Sequence, residues 1–249
     1  MPRAGGRLRH DAVRRLARKR VKISRIQNRE SMFIPLKDLN PRRTVPYVTV
    51  LLILLNVAVF CYQLTLPPHA EKAFLFSLGT VPARFPAWLG GNAGFREAFL
   101  PLLTSMFLHG GLVHIAGNML FLWIFGDNVE DFYGHGTYLL FYLICGIGAG
   151  LVHVVTNLDS RIPALGASGA ISGVMGAYMV LFPRSRVLTL VFIFLVPIPA
   201  VIILGWWFIL QFLGGISTLG MTTGGGVAFW AHVGGFLAGV ALTAGARTK

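Results

Sequence analysis

Ser168 stands between Ala167 and Gly169 at the head of an apolar run, PALGASGAISGVMGAY, that has the make-up of a membrane helix. A serine hydroxyl is a weak nucleophile and needs a base within hydrogen-bond reach. His232 lies in a second such run, AFWAHVGGFLAGVAL. A neutral imidazole there could take the serine proton and return it to a leaving amine. His114 and Asn118, in HIAGN, are four apart and share a helix face. Both can donate hydrogen bonds to the negative oxygen of a tetrahedral intermediate, helped by the backbone N–H groups where the Ser168 helix starts. They could equally clasp two helices together, worth about 1 kcal/mol or less. Spacing alone leaves both readings open.

Serine and histidine meet at about 3 Å only if their helices approach closely. Gly166, Gly169, Gly173 and Gly176 recur at steps of three and four, which places them on one helical face. His232, Gly235 and Gly239 share a face in the same way, and GFLAG fits the G-x-x-x-G pattern of close helix approach. Each pattern alone is common in packing; their coincidence with Ser168 and His232 favours chemistry. The acids of the second span are badly placed to complete a triad. Asp127 is nine residues past Asn118, about 13 Å along a helix axis, and belongs with Asp131 at the other end of that span. Asp159 stays open, and the simplest arrangement is a serine–histidine dyad. Ser172, four residues after Ser168, is expected to bond back to a carbonyl. His109 suits either a structural hydrogen bond or a pore lining. His135 and His153 have no nameable partner, and His10 and His69 read as solvent-exposed. There is no H-E-x-x-H, which disfavours an intramembrane zinc protease, and no P-loop.

The elements that must position these groups follow from hydropathy. Of 249 residues, 55% are apolar and 12% charged, and the mean hydropathy is +0.67. Several separate apolar runs of about 20 residues imply a polytopic membrane protein rather than one soluble core. We read an all-α bundle of six transmembrane helices: 46–64, 112–125, 137–156, 168–182, 187–212 and 227–244. The fourth is short, about 22 Å against about 30 Å of hydrocarbon, so Ser168 should start below the outer surface. The aromatic-rich stretch 65–111 should lie in the interface or dip into the protein. LGGISTLGMTTGGG, before the last span, reads as a mobile loop.

Charge sets orientation. Residues 1–43 hold 14 of the 22 Lys/Arg and three acids. Such an arm could bind nucleic acid; beside a membrane span it reads as a cytoplasmic flank by the positive-inside rule. The expected organisation is a disordered basic extension (1–43, with Met32 as an alternative start), a membrane domain (44–245) and a short cytoplasmic tail (246–249). The extension is also compatible with a mitochondrial presequence. Cys61 and Cys145 read as packing residues, not a disulfide.

GASGAISG resembles the G-x-S-G element of rhomboid intramembrane serine proteases. HGGLVHIAGNM is similar to their second-span motif, and AHVGGFLAG to their last-span histidine with G-x-x-x-G. The resemblance covers about residues 44–245. It implies Ser168 as nucleophile and His232 as general base. It implies His114, Asn118 and the Ser168 backbone N–H as oxyanion donors, and Gly235 and Gly239 as packing residues. It further implies cleavage of single-pass membrane proteins near the outer end of their spans, in a bacterial-type inner membrane, without metal, cofactor or nucleic acid. Two positions depart from the pattern. Leu100-Pro101 replaces a Trp-Arg pair in the first outer loop, and Ser172 replaces an aromatic that packs on the histidine. The rival readings are a silent relative that binds membrane helices, and a transporter using buried histidines. The first should lack the serine or the histidine; the second should show repeats, and neither is seen.

Overall fold

A computed structural model describes residues 33–218 and 227–247. Expectations for 1–32, for 219–226 of the glycine-rich stretch and for the last two residues lie outside the described residues. The described chain is mostly helical. It opens with β1 (Phe33–Asp38) and α1 (Tyr47–Thr65). Three short helices follow: α2 (Pro68–Leu78), α3 (Arg84–Leu89) and α4 (Phe95–Thr104). The bundle then continues through α5 (Leu112–Tyr133), α6 (His135–Thr156) and α7 (Ser168–Leu181). A hairpin of β2 (Arg186–Val191) and β3 (Phe194–Pro199) leads into α8 (Ala200–Thr218), and α9 (Phe229–Arg247) closes the fold. Five of these helices, α1, α5, α6, α8 and α9, are long and apolar enough to cross a membrane.

α7 is the centre of the bundle. It has only 14 residues, and every residue from Gly169 to Tyr178 is buried. At about 21 Å it is too short to span hydrocarbon alone. Protein covers it instead: α5, α6 and α9 all pack on it. Glycine makes this possible. A Cβ on Gly235 would lie 2.0 Å from the Gly169 carbonyl oxygen, and one on Gly239 1.9 Å from the Gly173 oxygen. A Cβ on Gly176 would meet the Phe236 oxygen at 2.3 Å. On the other side, Gly169 faces the Ala149 methyl and Gly173 faces Cys145 of α6. Cys145 is thus a buried packing residue, as expected, and Cys61 is exposed on α1.

At the opposite end from Ser168, polar side chains tie separate elements together. The buried Glu130 carboxylate accepts from the N–H groups of Val48 and Thr49, so α5 supplies the cap that α1 lacks. It also meets the Thr49 hydroxyl and His135 Nδ1. Asp131 accepts from the Arg43 and Thr44 backbone and from the Thr44 hydroxyl. Asp38 accepts from the Asn40 N–H and the Asn128 amide.

The structure corrects four expectations. Residues 33–38 are not disordered: β1 pairs antiparallel with β2, giving a three-stranded sheet beside an otherwise helical fold. The second helix does not end at 125 but runs to Tyr133. Its acids have partners on α1 and β1, and Gly134, at φ 72°, is what stops it. The first half of the expected fifth span is the β2–β3 hairpin. Pro197 and Pro199 lack the N–H groups a helix needs, and an edge strand tolerates them. The glycine-rich stretch is still helix as far as Thr218. The aromatic-rich stretch forms α2 to α4, with Phe99 stacked on Phe95 and meeting Phe85 and Trp88 edge to face.

Two outcomes are expected. Gly239→Ala drives a methyl group into a backbone carbonyl, so it loses the ~1–3 kcal/mol of stability typical of overpacking, or more, and its thermal midpoint in detergent falls. Gly148→Ala, where a Cβ meets nothing within 4 Å, does not lower it. Burial lifts the Asp38 carboxyl from its ordinary 3.8 to about 6, and neighbouring Asp127 acts in the same direction. The folded state then holds this proton more tightly than the unfolded chain, so stability falls as pH rises from 3.8 through about 6. Thermal midpoints at about pH 5 and about pH 7.5 should differ by an amount that Asp38→Asn reduces.

Candidate active site

Ser168 is the first residue of α7, and His232 lies in the first turn of α9. The Ser168 Oγ is 2.9 Å from His232 Nε2. The segment leading to the serine is pinned from outside the bundle. Ala164 and Thr80 exchange two backbone hydrogen bonds, at 2.8 and 3.1 Å. The Gly166 N–H donates to the Ser105 carbonyl at 2.9 Å. The first N–H groups of α7 have no intrahelical acceptor and carry the positive end of the helix dipole.

The other imidazole nitrogen, His232 Nδ1, lies 2.7 Å from the side-chain oxygen of Gln211 on α8. An amide oxygen only accepts, so Nδ1 carries the proton. Nε2 is then the bare nitrogen, and the Ser168 hydroxyl donates to it. One turn before Gln211, the Trp207 ring lies 5.7 Å from the imidazole, tilted by 35°. It occupies the role left vacant at Ser172, whose hydroxyl instead bonds back to the Ser168 carbonyl at 2.6 Å, as expected. The sequence reading missed both Gln211 and Trp207. Their i, i+4 spacing on an apolar helix was the available signal, and the expected 187–212 boundary placed Gln211 at the very end of the span.

His114 and Asn118 lie on α5, facing the start of α7. The Gly110 N–H approaches His114 Nδ1 at 3.3 Å. That assigns the ring proton to Nε2, on the side of Gly166. A Cβ on Gly166 would lie 2.8 Å from His114 Nε2 and 3.4 Å from the Asn118 amide nitrogen. Gly166 is therefore not one of the helix-packing glycines, as its spacing suggested. It precedes α7, holds φ 118°, and leaves room for His114. Gly169, Gly173, Gly235 and Gly239 do pack helix against helix.

His109 has a structural role rather than a pore-lining one. It is buried, and its Nε2 is 2.9 Å from the Asn118 amide nitrogen. Burial pushes its pKa down to about 4, with His114 adding in the same sense, so it stays neutral and able to accept. Gln63 of α1 fixes its backbone through two hydrogen bonds, at 2.9 and 3.1 Å. Asp127 and Asp131 are both on the far side of the bundle. Within the described residues, no cluster of three metal-ligating side chains occurs. The arrangement is a hydroxyl on a bare imidazole nitrogen, beside a helix start and two side-chain N–H donors. Chemically it suits attack on a carbonyl and stabilisation of the oxyanion that results.

A polytopic helical membrane protein with this constellation belongs to a recognisable class. A family model, the rhomboid domain, matches residues 96–248. The chain belongs to the rhomboid family, a family of intramembrane proteases. It is 46% identical over 78 residues to rhomboid protease GluP of Bacillus subtilis (strain 168), covering 31% of this chain and 15% of that one. It is 30% identical over 148 residues to rhomboid protein 1, mitochondrial, of Saccharomyces cerevisiae (57% and 40%). It is 33% identical over 165 residues to RHOMBOID-like protein 12, mitochondrial, of Arabidopsis thaliana (59% and 46%). The matched stretches cover less than half the length of each of these relatives.

Proposed function

We propose that the protein is an intramembrane serine endopeptidase that cleaves single-pass transmembrane proteins near the outer end of their spans. The observation that carries this reading is the 2.9 Å contact between Ser168 Oγ and His232 Nε2. His232 takes the hydroxyl proton as Ser168 attacks the scissile carbonyl. It then returns that proton to the leaving amine, and a water molecule, activated the same way, hydrolyses the acyl-enzyme. His114 Nε2–H, the Asn118 amide and the Ser168 N–H donate to the oxyanion. A substrate helix must unwind locally to offer its carbonyl, so spans rich in Gly or Pro are favoured. The positive-inside bias supports cytoplasmic termini and a site open to the outer side.

The test is cleavage of a model single-pass substrate in liposomes. Wild type should cleave. Ser168→Ala and His232→Ala should abolish cleavage, and Asn118→Ala should lower kcat by up to the ~10²–10³-fold typical of one oxyanion donor. Cleavage by Ser168→Ala equal to wild type would remove the mechanism.

A further inference from the structure

We propose that Gln211 is a positioning residue that holds His232 in its reactive tautomer, so that the working unit is Ser168–His232–Gln211. This rests on the serine–histidine reading above. A neutral imidazole carries its proton on either nitrogen, and only the Nδ1–H form leaves Nε2 free to accept from serine. In triad enzymes an acid selects that form. The titratable groups that act on His232 are His114 on α5 and His153 on α6, and no carboxylate is among them. Gln211 is buried, and its oxygen is 2.7 Å from Nδ1. A neutral acceptor serves the same end without placing a charge among apolar helices, which would be costly.

The test compares Gln211→Met with Gln211→Glu. Methionine has nearly the same shape and removes the acceptor. Glutamate keeps an acceptor oxygen whether or not it is protonated. The readouts are kcat and KM on a helical substrate, and the rate at which a fluorophosphonate labels Ser168. Gln211→Met should lose at least ~10-fold in kcat and in labelling, bounded by the ~10²–10⁴-fold worth of a general base, with KM unchanged. Gln211→Glu should restore most of that loss. The inference is overturned if Gln211→Met keeps kcat within ~2-fold of wild type, or if its loss lies wholly in KM. It is overturned equally if Gln211→Glu is as slow as Gln211→Met. If Ser168→Ala cleaves like wild type, the dyad reading falls first and this inference with it.

A separate observation concerns the β2–β3 turn. Val191 pairs with Phe194, leaving a two-residue turn of Phe192 and Ile193. Such turns favour Asn and Gly, because they require positive φ. Here Phe192 adopts φ 54°, a strained value for a bulky side chain. Phe192, Ile193, Phe194 and Leu195 are 69%, 83%, 67% and 56% exposed. The hairpin runs directly into α8, whose first-turn Val201 and Ile202 are also exposed. Arg184 and Arg186, both exposed, flank its base. We infer that this tip inserts into the boundary between headgroups and acyl chains of the adjoining leaflet, with the arginines on lipid phosphates.

A nitroxide on Ile193→Cys, in a Cys61→Ser background reconstituted in liposomes with anionic phospholipid, reads the depth. Relaxation dominated by dissolved oxygen is expected. Relaxation dominated by a water-soluble nickel chelate overturns the inference and leaves the tip to a soluble partner. Protection from both also overturns it, in favour of cover by protein.

Discussion

The contact on which the site depends is backbone against backbone. Gly235 lies on the Gly169 carbonyl and Gly239 on the Gly173 carbonyl, with no room for a single carbon between them. Helices carrying side chains at these positions would stand 8–10 Å apart, and the serine–histidine contact would lose its present geometry. Gly235 and Gly239 lie about one and two turns past His232, while Gly169 directly follows Ser168 and Gly173 lies little more than one turn past it. They set both the spacing and the register of α7 on α9, and the 2.9 Å contact follows from them. In a membrane this packing cannot come from the hydrophobic effect, since lipid tails are as apolar as leucine. It comes from the dispersion contacts that close approach allows.

The polar groups around the site are organised by a second rule: each is held by a different element. Gln63 on α1 fixes the His109 backbone, and His109 holds the Asn118 amide on α5. Gly110 sets the tautomer of His114, and Gln211 on α8 that of His232. Buried polar groups without partners cost more in lipid than in water, so these connections hold the bundle together as well as orienting its side chains. The far end uses the same logic with charge. There, Glu130 and Asp131 on α5 supply the acceptors for the chain entering α1.

Much of this was legible in the sequence, because one-dimensional spacing maps directly onto a helix face. Glycines at steps of three and four marked which faces of α7 and α9 meet, and Ser168 and His232 sat at matching ends of those faces. What was not legible involved contacts between segments distant in the chain. Gln211 gains meaning only when α8 is laid against α9, 21 residues on. His109 could be assigned only once Gln63, 46 residues earlier, was seen to lock it. Gly166 fitted the helical spacing by coincidence: it stands two residues ahead of the helix start that the sequence already placed at Ser168, so it could not share that helix's face. The hairpin was misread because hydropathy does not distinguish an apolar strand from an apolar helix; Pro197 and Pro199 carried the distinguishing signal.

The arrangement links two properties that could have been separate. α7 is enclosed by protein, so its serine cannot move without disturbing the bundle. α8 is different: one face carries Trp207 and Gln211 to the imidazole, and the other presents Ile202, Ile209, Leu213 and Ile216 outward. The helix that orients the base is thus also one that borders the lipid. Any displacement of α8 away from α9 lengthens the 2.7 Å contact to Nδ1 and withdraws the Trp207 ring. Orientation of the histidine therefore depends on how α8 is seated against α9.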